Sequence, residues 1–340
     1  MTARITRRRF VVDAGVAGLG LVAGCGTPAF RAPWSPPPTK LPRIGFLDAE
    51  QADSPNAVPR LQSFRDALKT AGYSEGENLL IEWRFADYRR EQLPALAAEL
   101  VHLPVDLIVA STPPAILAAR AATSTIPIVM IFGENPVASG LVQTLARPGG
   151  NVTGLAAFST ELVGKRLELL KEAAPWIARL AVFYDLSPVH PAMLQELERV
   201  APRLGVAIHV FEARAPADMA ATFRMASAEA VDSLIVLPGD STSANMNQVL
   251  QFALDSHLPA IYPFSVWVRS GGLMSYSQNT IETHQRVAHY IDRILKGADP
   301  ADLPVEQPMT FDLIVNLKTA QALGLTFPNE ILLQVTEVIR

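Results

Sequence analysis

Cysteine is nearly absent: the 340-residue chain has one, Cys25. A lone thiol excludes an internal disulfide and any cysteine-built metal site. Histidine is scarce and scattered, as His102, His190, His209, His257, His284 and His289. No two of them stand four apart on one helical face, so no zinc site is expected. Basic clusters are missing beyond the N-terminus. The formal net charge is −4, and Arg4, Arg7, Arg8 and Arg9 against Asp13 leave the remainder more acidic still. A phosphate-binding surface needs clustered Lys and Arg, so nucleic acid is not an expected partner. The chain also lacks a Gly-x-Ser-x-Gly elbow and a Gly-x-x-x-x-Gly-Lys phosphate loop. With no nucleophile–base–acid set in view, neither catalysis nor a cofactor is expected.

What is present begins with an address. Thr6-Arg7-Arg8-Arg9-Phe10 precedes an apolar run from Val11 to Ala23, which ends in Val22-Ala23-Gly24-Cys25. Basic, apolar and small-residue parts in that order form a secretion signal, and the paired arginines before Phe resemble a twin-arginine export signal. The run falls short of the ~20 apolar residues that span a bilayer. Val-Ala-Gly-Cys resembles a lipobox, which makes Cys25 the candidate lipidation site. The alternative readings are plain cleavage and an incidental buried cysteine. Residues 26–42 carry Pro28, Pro33, Pro36, Pro37, Pro38 and Pro42. That density suits an extended tether.

From Arg43 onward, short apolar runs alternate with amphipathic segments. Strands are predicted at 44–47, 79–83, 106–110 and 128–131, with helices at 59–71, 92–101 and 115–122 between them. The pattern restarts with helices at 160–173, 193–204, 217–228 and 245–256 and strands at 180–183, 207–211, 233–237 and 259–261. Near-continuous apolar strands between helices indicate parallel sheets covered on both faces. Two rounds of similar size predict an α/β protein of two Rossmann-like lobes.

In open parallel sheets, ligands bind beyond the carboxyl ends of the strands. The residues there include Ser111-Thr112, Asn135, Tyr184-Asp185, Asp240, and Tyr262 with Phe264. Ser111 and Thr112 precede a helix beginning at Pro113 or Pro114, a place for a carboxylate. Asp240 offers an anion for an ammonium group. Tyr184, Tyr262 and Phe264 could stack on an apolar side chain. Each also has a structural reading, because short polar residues cap helices and aromatics pack in cores. Carboxylate and ammonium recognition together fit an amino acid or a close relative.

Further stretches carry a family resemblance. They are Pro94-Ala95-Leu96-Ala97-Ala98-Glu99-Leu100, Thr125-Ile126-Pro127-Ile128-Val129 and Ala146-Arg147-Pro148-Gly149-Gly150-Asn151-Val152-Thr153-Gly154, then Lys165-Arg166-Leu167-Glu168-Leu169-Leu170-Lys171, Ser270-Gly271-Gly272-Leu273, Ile294-Leu295-Lys296-Gly297 with Pro304-Val305-Glu306, and Val315-Asn316-Leu317-Lys318-Thr319-Ala320. Over residues 43–337 the sequence resembles the ABC transporter substrate-binding family that includes tryptophan/tyrosine-binding lipoproteins. The resemblance implies type I periplasmic-binding architecture, with hinge crossovers near Gly154, Gly271 and Gln307. It puts one lobe at 43–154 plus about 272–307 and the other at 155–271 plus about 308–340. Ser111, Thr112, Asn135 and Asp240 match the positions that hold amino acids in the family. Pro238-Gly239-Asp240-Ser241-Thr242 is similar to the amino-acid binders' Pro-Thr-Asp-Asn-Thr and departs from it at Gly239 and Ser241. The implied protein is an extracytoplasmic clamp, monomeric, lipid-anchored in the periplasm or cell envelope. It would close on a small solute and deliver it to an ABC permease in the inner membrane. The rivals are a binding protein that feeds a signalling receptor and, behind it, a secreted enzyme.

Overall fold

A computed structural model describes residues 41–185 and 190–340. The export signal, Cys25 and the proline-rich segment therefore lie outside the described residues. The first sheet is built from β1 (Arg43–Asp48), β2 (Leu80–Phe85), β3 (Leu107–Ala110), β4 (Ile128–Glu134) and β5 (Val152–Ala157). Its order is β2-β1-β3-β4-β5, parallel throughout. Helices α1 (Ala57–Thr70), α2 (Leu93–His102) and α3 (Pro113–Ala122) connect its strands. All four residues of β3 are buried, as expected of a strand covered by helices on both faces.

The chain then passes into a second lobe. It contains α4 (Ser159–Ala173), β6 (Arg179–Tyr184), α5 (His190–Val200), β7 (Ala207–Glu212), α6 (Met219–Ala228), β8 (Ser233–Val236), α7 (Asp240–Ala244), α8 (Met246–Asp255), β9 (Ala260–Tyr262), α9 (Ser265–Arg269) and β10 (Met274–Gln278). Helix α10 (Thr280–Leu295) returns to the first lobe, where Val287, Tyr290, Ile291 and Ile294 share a core with Ile44, Phe64 and Leu107. Its start is capped by Asn279, whose side chain accepts from the Glu282 N–H at 2.8 Å. The second sheet is completed by β11 (Phe311–Asn316), followed by α11 (Leu317–Ala322), α12 (Asn329–Leu332) and β12 (Glu337–Ile339). Its order is β12-β11-β10-β9-β8-β6-β7, with β10 and β11 antiparallel and the other pairs parallel. Two mostly parallel α/β sheets with interlobe crossovers make this a type I periplasmic-binding fold.

Two crossovers differ from the sequence reading. β5 pairs with β4, so the first lobe runs on to Ala157 rather than ending at Gly154. Gly154 instead has φ +119°, and a Cβ there would stand 2.3 Å from the Met130 carbonyl oxygen. That glycine is thus required by close strand packing, not by a hinge. β10 pairs with β9 and β11. The return to the first lobe therefore comes after Gln278 rather than near Gly271, which closes the turn after α9. The third passage runs from Glu306, which bonds to Gly154 and Ala156 of the first lobe, to β11, which opens at Phe311.

Candidate functional site

A cavity of about 600 Å³ separates the lobes, within the usual range for small-molecule sites. Glu50, Arg60, Arg90, Thr112, Phe132 and Glu134 line it from the first lobe. Phe158, Ser159, Arg166, Asp240, Phe264 and Arg269 face it from the second. Of the residues singled out in the sequence, Thr112, Asp240 and Phe264 are in this lining.

The others lie elsewhere. Ser111 is fully buried at the end of β3, and its hydroxyl has no hydrogen-bond partner. Asn135 is exposed in a turn at φ +41°, its carbonyl accepting from the Ser139 N–H and hydroxyl. β4 ends at Glu134, which lines the cavity, and the left-handed turn at Asn135 carries its side chain out of the lining. Tyr184 packs against the second-lobe core, edge-on to His190. Tyr262 stacks on Trp267 with ring centroids 5.2 Å apart and is a core residue. Asp185 is buried behind the cavity wall. Its Oδ2 accepts from the Ser241 N–H at 3.1 Å, near the start of α7.

The start of α3 also differs from the expected carboxylate cradle. The helix begins at Pro113, with Pro114 next. Neither proline carries an N–H, so two donors of the first turn do not exist. Thr112 precedes them without a side-chain cap bond, and its hydroxyl has no partner among the described residues. What this helix start offers an anion in the cavity is therefore mainly the Thr112 hydroxyl.

The dominant feature is a network of charges that crosses the cleft. Asp48, at the end of β1, accepts from the Arg60 guanidinium at 2.8 Å. Arg60 also lies 3.4 Å from Glu50, which takes two bonds from the Asn56 amide at 2.8 and 2.9 Å. Arg90, from the turn after β2, pairs with Asp240 through Nε and with Asp185 through Nη2 at 3.3 Å. Burial pushes the Glu50 carboxyl up, and Asp48 adds to the shift against Arg60 and Asn56. Burial likewise raises Asp240, with Asp185 and Asp48 adding and Arg90 opposing. His190 braces this wall, its ring nitrogens lying against the carbonyls of Asp185 and Pro238.

A second polar cluster is sparser. The Glu134 carboxylate accepts a hydrogen bond from the Ser159 hydroxyl across the lobe boundary. Burial pushes Glu134 up to about 7, although Ser159 and Arg166 favour its charge. Arg166, 3% exposed, donates to the carbonyls of Tyr276 at 2.8 Å and Pro263 at 3.1 Å, while Nη1 has no partner. Burial lowers its pKa to about 10, so it remains a cation at neutral pH.

The sequence reading passed over Arg60, Arg90, Glu134 and Arg166. Arg90 had a usable signal, because the turn after β2 is a strand end like those after β3 and β4. Arg166 had none, since it sits inside an otherwise ordinary amphipathic helix.

The comparisons agree with this architecture. The model of the ABC transporter substrate binding protein family matches residues 53–339, and the chain belongs to that family. It is 26% identical over 321 residues to a tyrosine-binding protein of Clostridioides difficile, covering 93% of this chain and 91% of that one. Among solved structures it is similar to an ABC domain from Streptococcus pneumonia in complex with L-Trp, at 25% identity and TM-score 0.79, covering 88% of this chain and 99% of that one. It is also similar to the ligand-free, open structure of a substrate-binding protein with adhesive properties from Clostridium difficile, at 28% identity and the same two coverages. The TM-score there is 0.63.

Proposed function

We propose that this protein is the extracytoplasmic solute-binding subunit of an ABC importer and that its solute is an aromatic amino acid. The observation that carries the reading is the interlobe cavity, whose wall combines Phe132, Phe158 and Phe264 with the acidic Asp240 network and the Thr112 hydroxyl. The phenylalanines suit an aromatic side chain. The Glu50 and Asp240 carboxylates suit an ammonium group, and the Thr112 hydroxyl suits a carboxylate. The tyrosine- and tryptophan-binding relatives support the same solute class. Contacts from both lobes favour the closed clamp to the extent that the solute binds it better than the open one. The closed form then docks on a permease. Cys25 supplies the lipid anchor and the paired arginines the export route.

The test is a thermal-shift and calorimetric series with tryptophan, tyrosine, phenylalanine and leucine. A solute at 100 times its Kd adds about 2.7 kcal/mol of stability. The expected outcome is a raised melting temperature with the aromatic acids and little change with leucine. Equal response to leucine, or none to any of the four, would overturn the reading.

A further inference from the structure

Strand order fixes which groups of the cleft lie side by side. In the first sheet β3 stands between β1 and β4. Asp48 ends β1 and Glu50 follows it, Thr112 follows β3, and Glu134 ends β4. Neighbouring strands are ~4.8 Å apart, so the β1 carboxylates and Glu134 leave the sheet roughly 10 Å apart, with Thr112 between them. The second lobe keeps the same sequence of groups. Asp185 and Asp240 follow β6 and β8, whereas the carbonyls that hold Arg166 come from Pro263, just after β9, and from Tyr276 of β10. The two polar clusters therefore stand at opposite ends of one row of strand ends.

The apolar wall belongs to the second end. Phe132 comes two residues before Glu134, Phe158 immediately precedes Ser159, Phe264 follows Pro263, and Leu162 is one helical turn before Arg166 on α4; all of them line the cavity. A purely hydrocarbon side chain would be served by that wall alone. Here the wall encloses an ionisable acid and a cation. Arg166 is 3% exposed and lines the cavity, and its Nη1 has no partner among the described residues. Its Nε and Nη2 are tied to the Tyr276 and Pro263 carbonyls. Because the guanidinium is planar, those two bonds also fix the orientation of Nη1. A buried donor left unmet is costly, and more so when it is charged.

We propose that Arg166 and Glu134 form a subsite for a phenolic hydroxyl at the ring end of the cleft, so that tyrosine is the preferred aromatic amino acid. The ammonium group lies at the Glu50 and Asp240 end, the carboxylate at Thr112, and the ring between Phe132, Phe158 and Phe264. Arg166 Nη1 donates to the phenol oxygen, and the phenol O–H donates to the Glu134 carboxylate. An indole N–H satisfies Glu134 and leaves Arg166 unmet. Phenylalanine satisfies neither. A site built to bond a hydroxyl rejects the analogue lacking it, because its own buried groups are then left unpaired.

The subsite rests on the aromatic amino acid reading, and its test separates the two. Calorimetry compares tyrosine, tryptophan and phenylalanine on the full chain. Tyrosine is expected to bind on the order of 10- to 100-fold tighter than phenylalanine, the scale of one hydrogen bond to a charged group, with tryptophan between them. In Arg166→Met the tyrosine-to-phenylalanine ratio should fall close to one. In Glu134→Gln, which keeps an oxygen that can accept from the phenol, it should fall less. Phenylalanine binding as tightly as tyrosine in the parent would overturn the subsite and leave the aromatic reading standing. So would an Arg166→Met variant that weakens both solutes equally, which would make Arg166 the partner of the carboxylate they share. Binding of none of the three would overturn the aromatic reading and the subsite with it. The parent's ratio removes the hydroxyl from the solute rather than a side chain from the protein, so it reads the subsite even if Arg166→Met folds poorly.

Discussion

The cleft wall contains two polar clusters that handle buried charge in opposite ways. Around Asp48, Glu50, Asp185 and Asp240, the carboxyls are matched by Arg60, Arg90, Asn56 and the Ser241 N–H. Around Glu134 and Arg166 the partners are few. Ser159 serves the acid, two backbone carbonyls serve the base, and one guanidinium nitrogen is left over. Burial disfavours the charge in both; in the first cluster several neighbours oppose it, and in the second few do. The first should respond more to loss of a partner and to salt, the second more to pH. Substitutions that separate those responses test the comparison directly.

The largest effect is expected from Asp240→Asn. Removing one member of a buried charge pair costs about 2–5 kcal/mol and strands the other. Calorimetry with whichever of tryptophan and tyrosine shifts the parent's melting temperature should show Kd weakened at least about thirtyfold. Circular dichroism should be unchanged, because α7 keeps its other bonds. Undiminished affinity would remove Asp240 from the binding site.

Next comes the pH response of the second cluster. The Glu134 carboxyl is raised by burial to about 7, from an ordinary 4.5. Between those values the folded state holds more protons than the unfolded one, so stability falls as pH rises. The contribution is fully present below about 4.5 and is lost on passing through about 7. Its full size is on the order of 3 kcal/mol, at 1.36 kcal/mol per pKa unit. Glu161, Arg166 and Ser159 are the groups that act on this carboxyl. Glu134→Gln keeps the Ser159 contact and cannot ionise. Denaturant unfolding at pH 5 and pH 8 should show the parent losing more stability than the variant. Equal losses would show that Glu134 carries an ordinary pKa.

Which parts of this were legible in the sequence follows from the range of each interaction. Strands such as Leu107–Ala110 and helices such as Ala57–Thr70 are set by local apolar periodicity, and they appear where that periodicity puts them. β10 was missed because Met274-Ser275-Tyr276-Ser277-Gln278 is polar for a central strand. It alternates because it lies antiparallel to β11, and its identity depends on partners distant in the chain. The site divides in the same way. Asp240 and Thr112 are local strand-end residues, and the strand-end rule reaches both. The Arg90 bridge joins residues 150 apart, and no spacing in the sequence announces it. Tyr262 has the position of a ligand contact, but the indole of Trp267 lies flat against it and claims it for the core.

Gly239 tests how tightly the paired cluster is built. The resemblance places Thr there in amino-acid binders, whereas here the Asp185 carboxylate occupies the space a side chain would need. Gly239→Thr should push Asp185 away and loosen its hold on Arg90. Overpacking of this kind costs typically 1–3 kcal/mol. The expected result is a lowered melting temperature together with a weaker salt dependence of stability. If the melting temperature falls and the salt dependence stays as in the parent, Asp185 serves only to hold the start of α7 and Asp240 alone holds Arg90.

The smallest effect is expected at Thr112. Its hydroxyl is buried and has no partner among the described residues, so it adds little to folding and costs something to desolvate. Thr112→Val, which keeps the shape, should leave stability unchanged or raise it by up to about 1 kcal/mol. The same change should weaken solute binding by about 0.5–1.5 kcal/mol if the hydroxyl meets the carboxylate. Because Pro113 and Pro114 supply no N–H, little else at this helix start can replace it. Stability and affinity moving in opposite directions is what distinguishes a group held for a ligand from one held for the fold. Unchanged affinity in Thr112→Val would place the carboxylate elsewhere in the cleft, with the buried Arg166 guanidinium next to be substituted.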